Sequence, residues 1–142
     1  MNDTASAIEA TARAFLDACD RGLGWEACRP FCTPAASFAC QAEPLAGMGQ
    51  LDAYAEWMKG IVALMPDARY SIEAFAIDPA ASTALVHAVF HGTHTGEGGP
   101  VPPTGQAMSS DHVYAMRFEG PGIAHVTKIW NSDWALRQLR WT

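Results

Sequence analysis

The sequence carries little charge and no excess of basic residues. Its 142 residues contain 9 Lys and Arg against 15 Asp and Glu, which gives a formal net charge of −6, and charged residues make up 17% of the chain. A nucleic-acid-binding domain needs a basic surface that displaces counterions from phosphates, so no nucleic-acid partner is expected. No apolar run approaches the roughly 18 residues of a membrane-spanning helix, so no membrane partner is expected either.

Signals for secretion and for a cysteine-based metal site are also missing. The amino terminus, MNDTASAIEA, lacks a basic segment followed by an apolar block, so a cytoplasmic location is expected. The cysteines Cys19, Cys28, Cys32 and Cys40 form no Cys-x-x-Cys pair and have no histidine nearby, which argues against a zinc site. We expect reduced, mostly buried thiols.

What the chain has is enough apolar sequence for one ordinary core. Hydrophobic residues make up 49% of the chain, and this length is typical of one domain, here residues 1–142.

In the first half, Ser6 and Glu9 have capping-box spacing before an apolar stripe with helical period. The elements predicted there are a helix from Ser6 to Arg21, a short helical stretch at 25–31 that ends near Pro34, a short strand at 35–41, and a helix at 51–65 that Pro66 ends.

From Arg69 onward the pattern becomes extended. The predicted elements are strands at 70–77, 85–94, 106–118 and 123–130, joined as antiparallel hairpins, and a short terminal helix at 134–141. Helices followed by a run of long strands indicate an α+β fold with helices gathered on one face of a sheet. Such a sheet can curl into a half-open cone that encloses an apolar pocket.

Several motifs resemble one superfamily over nearly the whole chain. These are Val-Tyr-Ala-Met-Arg-Phe at 113–118 with a turn at 120–122, Ile129-Trp130, Gly-Thr-His-Thr-Gly at 92–96 with Pro-Thr-Gly at 103–105, and Ala-Leu-Arg-Gln-Leu at 135–139. They resemble the nuclear-transport-factor-2-like superfamily, and within it the SnoaL-like polyketide cyclases and ketosteroid isomerase. The resemblance implies a cone-shaped α+β fold, a homodimer, an apolar small-molecule ligand and no cofactor.

The isomerase site transfers only partly. Glu43, before Pro44, matches the general base, and Tyr114 matches the acid that binds the oxyanion. Trp130 matches a wall of the cavity. Phe15 falls where the isomerase has a second phenol donor, and this departure argues against true 3-ketosteroid isomerase activity.

The cyclase resemblance points to the end of the last strand. SnoaL-like cyclases use an Asp there as general acid and base, and Asn131 and Asp133 both lie in that region. Asp133 is the better acid and base by chemistry, but it is equally suited to be the N-cap of the terminal helix.

Strand alternation places four further candidates together. His112 and Tyr114 share one face of their strand, and Lys128 and Trp130 share one face of the next. If Tyr114 and Trp130 face the pocket, the other two do so as well. The pocket would then hold an imidazole, a phenol, an ammonium and an indole, with Glu43 at its rim and Phe15 and Tyr54 as further ligand contacts from the long helices.

Plainer interpretations stand beside these. Tyr114 and Trp130 are also typical core aromatics, and Lys128 could pair with Asp111 or Glu43. The histidines at 87, 91 and 94 have poor spacing for a metal, because the first two lie about 13 Å apart along a strand and the third has the opposite parity. No metal site is therefore expected.

The function predicted is proton transfer next to a carbonyl of an apolar small molecule, as in an isomerase or an aldol cyclase. Asp133 or Glu43 would be the base, His112 the proton carrier, and Tyr114 with Lys128 would stabilise the enolate oxygen. A non-catalytic binding module of the same fold remains an alternative, as does a hydrolase or dehydratase that uses the same pocket. A homodimer through the outer face of the sheet is expected.

Overall fold

The first half of the chain folds into three helices and one strand. The computed structural model describes residues 3–142. The elements of this half are α1 (Asp3–Asp20), α2 (Trp25–Cys28) with a 3-10 turn at Arg29–Phe31, β1 (Cys32–Cys40), a 3-10 turn at Glu43–Leu45, and α3 (Leu51–Leu64). The apolar stripe predicted on α1 is confirmed, because Phe15, Leu16 and Cys19 are all buried. None of the helices in residues 3–142 is long and apolar enough to cross a membrane.

The second half is an antiparallel meander that ends in a helix. Its elements are β2 (Arg69–Asp78), β3 (Thr83–Thr93), β4 (Ala107–Glu119), β5 (Gly122–Trp130) and α4 (Ser132–Gln138). The strand order is β1-β5-β4-β3-β2, and β1 runs parallel to β5 while the other neighbours are antiparallel. The predicted α+β fold, a curved and unclosed sheet around helices, is confirmed.

Several predicted boundaries differ from the structure by one to three residues, and two of these differences have a clear cause. Strand β1 begins at Cys32, so Pro34 lies within it, whereas the sequence predicts that the helical stretch ends near this proline. Proline is tolerated because β1 is an edge strand, and the register shifts between Cys32 and Ser37. Helix α4 covers Ser132–Gln138 and not 134–141, because Asn131 caps it two residues earlier than predicted.

The concave face of the sheet covers the helices and forms the core. Even-numbered residues of β3 and β4 are buried, and odd-numbered ones face outward. Val86, Met116 and Val126 are among the inward residues of the three central strands, and all are 0% exposed. This two-residue period is what positions the inward polar side chains described below.

Three of the four cysteines are buried, as predicted: Cys19, Cys28 and Cys40, while Cys32 is half-buried. A hydrogen bond with Cys28, together with burial, raises the pKa of the Cys19 thiol well above its usual range, and burial raises that of Cys32 to about 12. These thiols therefore stay protonated and behave as small apolar side chains.

The end of α1 packs tightly against α3 through a glycine. Gly22 has φ +70°, and a Cβ at this position would lie 2.5 Å from Cβ of Val62. Only glycine combines this left-handed backbone with so close an approach. The carboxyl end of α1, and with it Asp20, is thereby held beside α3 and the inner face of the sheet.

Candidate functional site

A buried carboxylate, an imidazole and two phenols form one hydrogen-bonded network inside the cone. Asp20, the last residue of α1, is 0% exposed. Its Oδ2 lies 2.9 Å from Nε2 of His112, and its Oδ1 accepts a hydrogen bond of 2.8 Å from the Tyr114 hydroxyl. The Tyr54 hydroxyl lies 2.5 Å from that of Tyr114. The network joins α1, α3 and β4, which are far apart in sequence.

The directions of these hydrogen bonds follow from the chemistry of the groups. A carboxylate only accepts, so Nε2 of His112 carries the proton of this hydrogen bond. Tyr114 donates its proton to Asp20, and Tyr54 must therefore donate to Tyr114. Burial raises the pKa of both phenols well above their usual range, so both stay protonated. Neither phenol has a free proton to offer an enolate oxygen in this arrangement.

Lys128 lies next to this network within a set of three aromatic rings. It is 6% exposed and pairs across the strands with Tyr114. Its Nζ lies 4.3 Å from the ring centroid of Trp130, 5.1 Å from that of Tyr54 and 5.6 Å from that of Trp57. These distances are typical of cation–π contacts.

No carboxylate forms an ion pair with Lys128 among residues 3–142, although two were candidates. Asp111 lies on the outer face of the sheet, where it pairs with His87 at 2.7 Å, and Glu43 is exposed. Burial lowers the pKa of Lys128 to about 8, against the opposing effect of the negative charge of Asp20. Lys128 is therefore a buried amine that loses its proton more readily than an ordinary lysine does.

Asp20, His112 and Tyr114 of the network, together with Lys128, line a small apolar cavity, whereas Tyr54 does not line it. The volume of the cavity is about 40 Å³, which is room for a few water molecules, whereas sites for drug-sized ligands span roughly 300–1,000 Å³. Three flexible methionines, Met58, Met65 and Met108, also line it. A larger ligand would have to displace such side chains, and methionine adapts to this more readily than branched residues do.

A second, open groove lies on the other side of Lys128 and Trp130. It has a volume of about 410 Å³, and its lining includes Glu43, Asn131 and Asp133 as well as these two residues. Lys128 and Trp130 thus form part of the wall between the inner cavity and the open groove. Trp130 is held in this wall by a hydrogen bond of 2.8 Å from its Nε1 to Oγ of Ser110.

The predicted site residues therefore divide into two groups. His112, Tyr114, Lys128 and Trp130 face the inner cavity together, and this confirms the face assignment from strand alternation. Glu43, Asn131 and Asp133 lie in the outer groove and do not line the inner cavity. The structure gives the cap of α4 to Asn131, whose side chain accepts a hydrogen bond of 3.1 Å from the Trp134 backbone. Asp133 lies in the first turn of the helix and is exposed.

Phe15 and Tyr54, the two ligand contacts expected from the long helices, lie in different environments. Phe15 is fully buried in the hydrophobic core and does not line the cavity. Tyr54 stacks on Phe38 with ring centroids 4.2 Å apart and supplies the second phenol of the network. The second phenol of the network thus comes from α3, and Phe15 of α1 contributes an apolar ring to the core.

Sequence reasoning missed Asp20, which joins the whole network. A signal was present: Asp20 follows Leu16 by four residues and Ala12 by eight, so it lies on the buried stripe of α1. A carboxylate on an apolar helix face needs buried partners. A position at the end of a helix, before Arg21 and Gly22, is also typical of exposed polar residues, so the sequence signal is weak.

The histidines at 87, 91 and 94 have three separate sets of partners. His87 pairs with Asp111, Nδ1 of His91 lies 2.8 Å from Oγ of Ser109, and Nδ1 of His94 accepts a hydrogen bond of 2.9 Å from Nε1 of Trp141. No cluster of three or more His, Cys, Asp or Glu suited to a metal is found within the described residues.

His94 shows what the Gly-Thr-His and Pro-Thr-Gly segments do in this fold. The backbone N–H of Thr104 donates to the same Nδ1 at 3.3 Å. His94 therefore links the two ends of the 94–106 connection to Trp141, which lines the inner cavity. The motif holds one wall of the cavity in place.

Comparison with solved structures shows the same fold in several bacterial proteins. AclR from Streptomyces galilaeus, described as a candidate hydroxylase, is 18% identical with a TM-score of 0.78, covering 96% of this chain and 83% of its own. IdmH from Streptomyces antibioticus, a candidate polyketide cyclase, is 19% identical with a TM-score of 0.74, covering 94% of this chain and 98% of its own. A candidate polyketide cyclase from Acidithiobacillus ferrooxidans is 20% identical with a TM-score of 0.75, covering 99% of both chains.

The family is established by a match of sequence. A search of the curated proteins gives no significant match. The family model for SnoaL-like polyketide cyclases, in contrast, matches residues 10–139, which includes every residue of the network and of the cavity wall described above except Trp141. The chain belongs to the SnoaL-like polyketide cyclase family.

Proposed function

We propose that this protein is a cofactor-independent enzyme that moves a proton at the carbon next to a carbonyl of an apolar, polyketide-like small molecule. The observation that carries the proposal is the buried pair of Asp20 and His112 beside an apolar cavity. A carboxylate that accepts the Nε2 proton leaves Nδ1 of His112 as a base, and it stabilises the imidazolium that forms when Nδ1 takes up a proton.

Lys128 would stabilise the negative charge that develops on the carbonyl oxygen. Its ammonium group has no carboxylate partner among the described residues, and it is largely shielded from water, so its attraction for an enolate is strong. The resulting enolate carbon either takes the proton back at another position, which is isomerisation, or attacks a second carbonyl, which is aldol cyclisation. Tyr114 and Tyr54 hold Asp20 in place.

The test follows hydrogen exchange in D₂O with 2-tetralone, an apolar bicyclic ketone, as the probe. We expect His112→Gln to lower the enzyme-dependent exchange at the activated carbon by about 10²–10⁴-fold. His87→Gln is the matched control, because His87 has a carboxylate partner at 2.7 Å on the outer face of the sheet. NMR measures the exchange. Binding of the probe without any exchange in the wild type would instead favour the binding-module alternative.

We also propose a homodimer through the outer face of the sheet. Leu85 and Ile129 are 40% and 61% exposed there. Half-buried Val113 lies on the strand between theirs. Apolar side chains on both faces of a sheet are typical where both faces are covered. Sedimentation at micromolar concentration is expected to give the dimer mass, and Ile129→Lys is expected to shift it to the monomer. A wild-type monomer would contradict this.

A further inference from the structure

Lys128 has the surroundings of a nucleophile as well as those of a fixed charge. The side chain is 6% exposed, Nζ is bounded by three aromatic rings, and no hydrogen bond or ion pair of this ammonium is found within residues 3–142. A charged lysine without a partner is costly to bury. The neutral amine fits the same space without that cost.

The amine can be reached by a carbonyl compound. Lys128 lines the inner cavity and also the open groove of about 410 Å³ on the other side of Trp130. The groups that face or surround Lys128 from the other elements are Cys19 and Asp20 of α1, Cys40 of β1, Tyr54 and Trp57 of α3, and Tyr114 of β4. Asp20 is the one carboxylate among these groups, and it is hydrogen-bonded to His112 and Tyr114.

We propose that Lys128 forms an imine with a ketone or aldehyde group of a ligand. This goes beyond the proposed function, which needs Lys128 only as a positive charge. Desolvation of a lysine in an apolar site is one of the ways in which proteins make the amine nucleophilic.

The reaction is balanced without any oxidant, reductant or cofactor. The lone pair of the neutral Nζ attacks the carbonyl carbon, and the π electrons move to the oxygen. A proton then passes from nitrogen to oxygen, which gives a carbinolamine. A second proton, taken up from the solvent, lets the hydroxyl leave as water while the nitrogen lone pair forms the C=N bond. The products are a protonated imine and one water molecule, and hydrolysis reverses the step.

The protonation state of the amine makes this chemistry possible near neutral pH. Because burial lowers the pKa of Lys128 to about 8, about half of the side chains are neutral amines at pH 8. An ordinary lysine, which titrates near 10.4, is neutral in less than about 1% of molecules at that pH.

The experiment uses the competition between the only two lysines of the chain, the exposed Lys59 and the buried Lys128. The wild-type protein is incubated at pH 8 with 2-naphthaldehyde and sodium cyanoborohydride, which delivers hydride to the imine carbon and fixes the adduct. Peptide mass spectrometry then locates it. We expect at least about tenfold more adduct on Lys128 than on Lys59, and half-maximal labelling of Lys128 near pH 8. The amino-terminal peptide is scored separately, since an α-amino group also titrates near ~8.

Lysine variants serve as controls. Lys59→Arg is expected to keep the adduct, and Lys128→Arg to lose it while circular dichroism remains that of the folded protein. The comparison of adduct on Lys128 and on Lys59 uses only the wild-type protein. It therefore tests the proposal even if Lys128→Arg fails to fold. Adduct on Lys59 at an equal or higher level would overturn the proposal.

The probe separates this proposal from the proposed function. 2-Naphthaldehyde has no hydrogen on the carbon next to its carbonyl, so proton transfer by His112 at carbon does not contribute to its capture. Labelling of Lys128 without exchange of 2-tetralone would support the imine alone. Exchange without labelling would support proton transfer and contradict the imine.

Discussion

Asp20→Asn is expected to lower the exchange rate of 2-tetralone by roughly 10²–10⁴-fold, the range for loss of an oriented acid–base pair. An amide can donate a hydrogen bond to the histidine ring nitrogen that now faces the carboxylate. The proton of His112 would then move to Nδ1, which would no longer carry the lone pair needed for a base. The amide also lacks the charge that stabilises an imidazolium. The measurement is the exchange rate by NMR as a function of probe concentration, which separates kcat from KM.

Asp17→Asn is the matched control for Asp20→Asn. Asp17 lies three residues before Asp20 on the same helix, and its side chain is 47% exposed. It accepts a hydrogen bond of 2.7 Å from Tyr70, outside the cavity. We expect kcat to fall only for Asp20→Asn, with KM little changed. Exchange at the wild-type rate in a folded Asp20→Asn protein would exclude His112 and Asp20 as the acid–base pair.

Lys128→Met is expected to stabilise the fold while it abolishes imine capture. A lysine that titrates near pH 8 when folded, against 10.5 for a free lysine, disfavours folding by about 3 kcal/mol below pH 8. Loss of the cation–π contacts offsets about 1–2 kcal/mol of the gain. Methionine has a similar length and fits among the three rings. The free energy of unfolding at pH 7 should therefore rise by about 1–2 kcal/mol.

The pH dependence of this gain has a definite sign. The folded chain holds the Lys128 proton less tightly than the unfolded chain does, so the penalty is fully present below pH 8 and disappears as the pH rises to about 10.5. Tyr54, Tyr114 and Cys19 have raised pKa values and destabilise the fold over part of the same range. The difference between Lys128→Met and wild type in urea unfolding cancels these contributions. A gain that stays constant from pH 7 to 10.5 would contradict the lowered pKa.

Lys59→Met provides the control for the urea experiment. Lys59 lies on the exposed side of α3, so its replacement should leave the pH dependence of unfolding unchanged. If Lys128→Met were less stable than wild type at pH 7, the contacts of the ammonium with the three rings would outweigh its burial.

The parts of the site on the strands were predictable, and the part on the helix was not. The period of two in β4 and β5 fixes which side chains share a face, and this was enough to bring His112, Tyr114, Lys128 and Trp130 together. This period does not determine the position of each polar group along the length of the cone. Glu43 and Asp133 therefore looked like members of the same pocket, although the wall formed by Lys128 and Trp130 separates them from it.

Asp20 could be found only from the packing of three elements. Its burial depends on the close approach at Gly22, where α1 meets α3, and no local pattern encodes that distance. Phe15 was predicted to contact a ligand, but its side chain is fully buried in the hydrophobic core. Sequence patterns thus predicted the architecture and one face of the site, while contacts between distant segments bring Asp20 to His112.

The parallel pairing of β1 with β5 has a consequence for how the protein folds. It joins Ser37 to His125, and the hydrogen bonds of Asp20 span 92 residues to His112 and 94 to Tyr114. Contacts between such distant segments require large loops to close first, and proteins rich in them fold slowly, on the order of milliseconds to seconds. The helices and the hairpins of β2, β3 and β4 involve shorter loops and are expected to form earlier. We therefore expect the contacts of Asp20 with His112 and Tyr114 to form late in folding, when the end of the first helix meets the completed sheet.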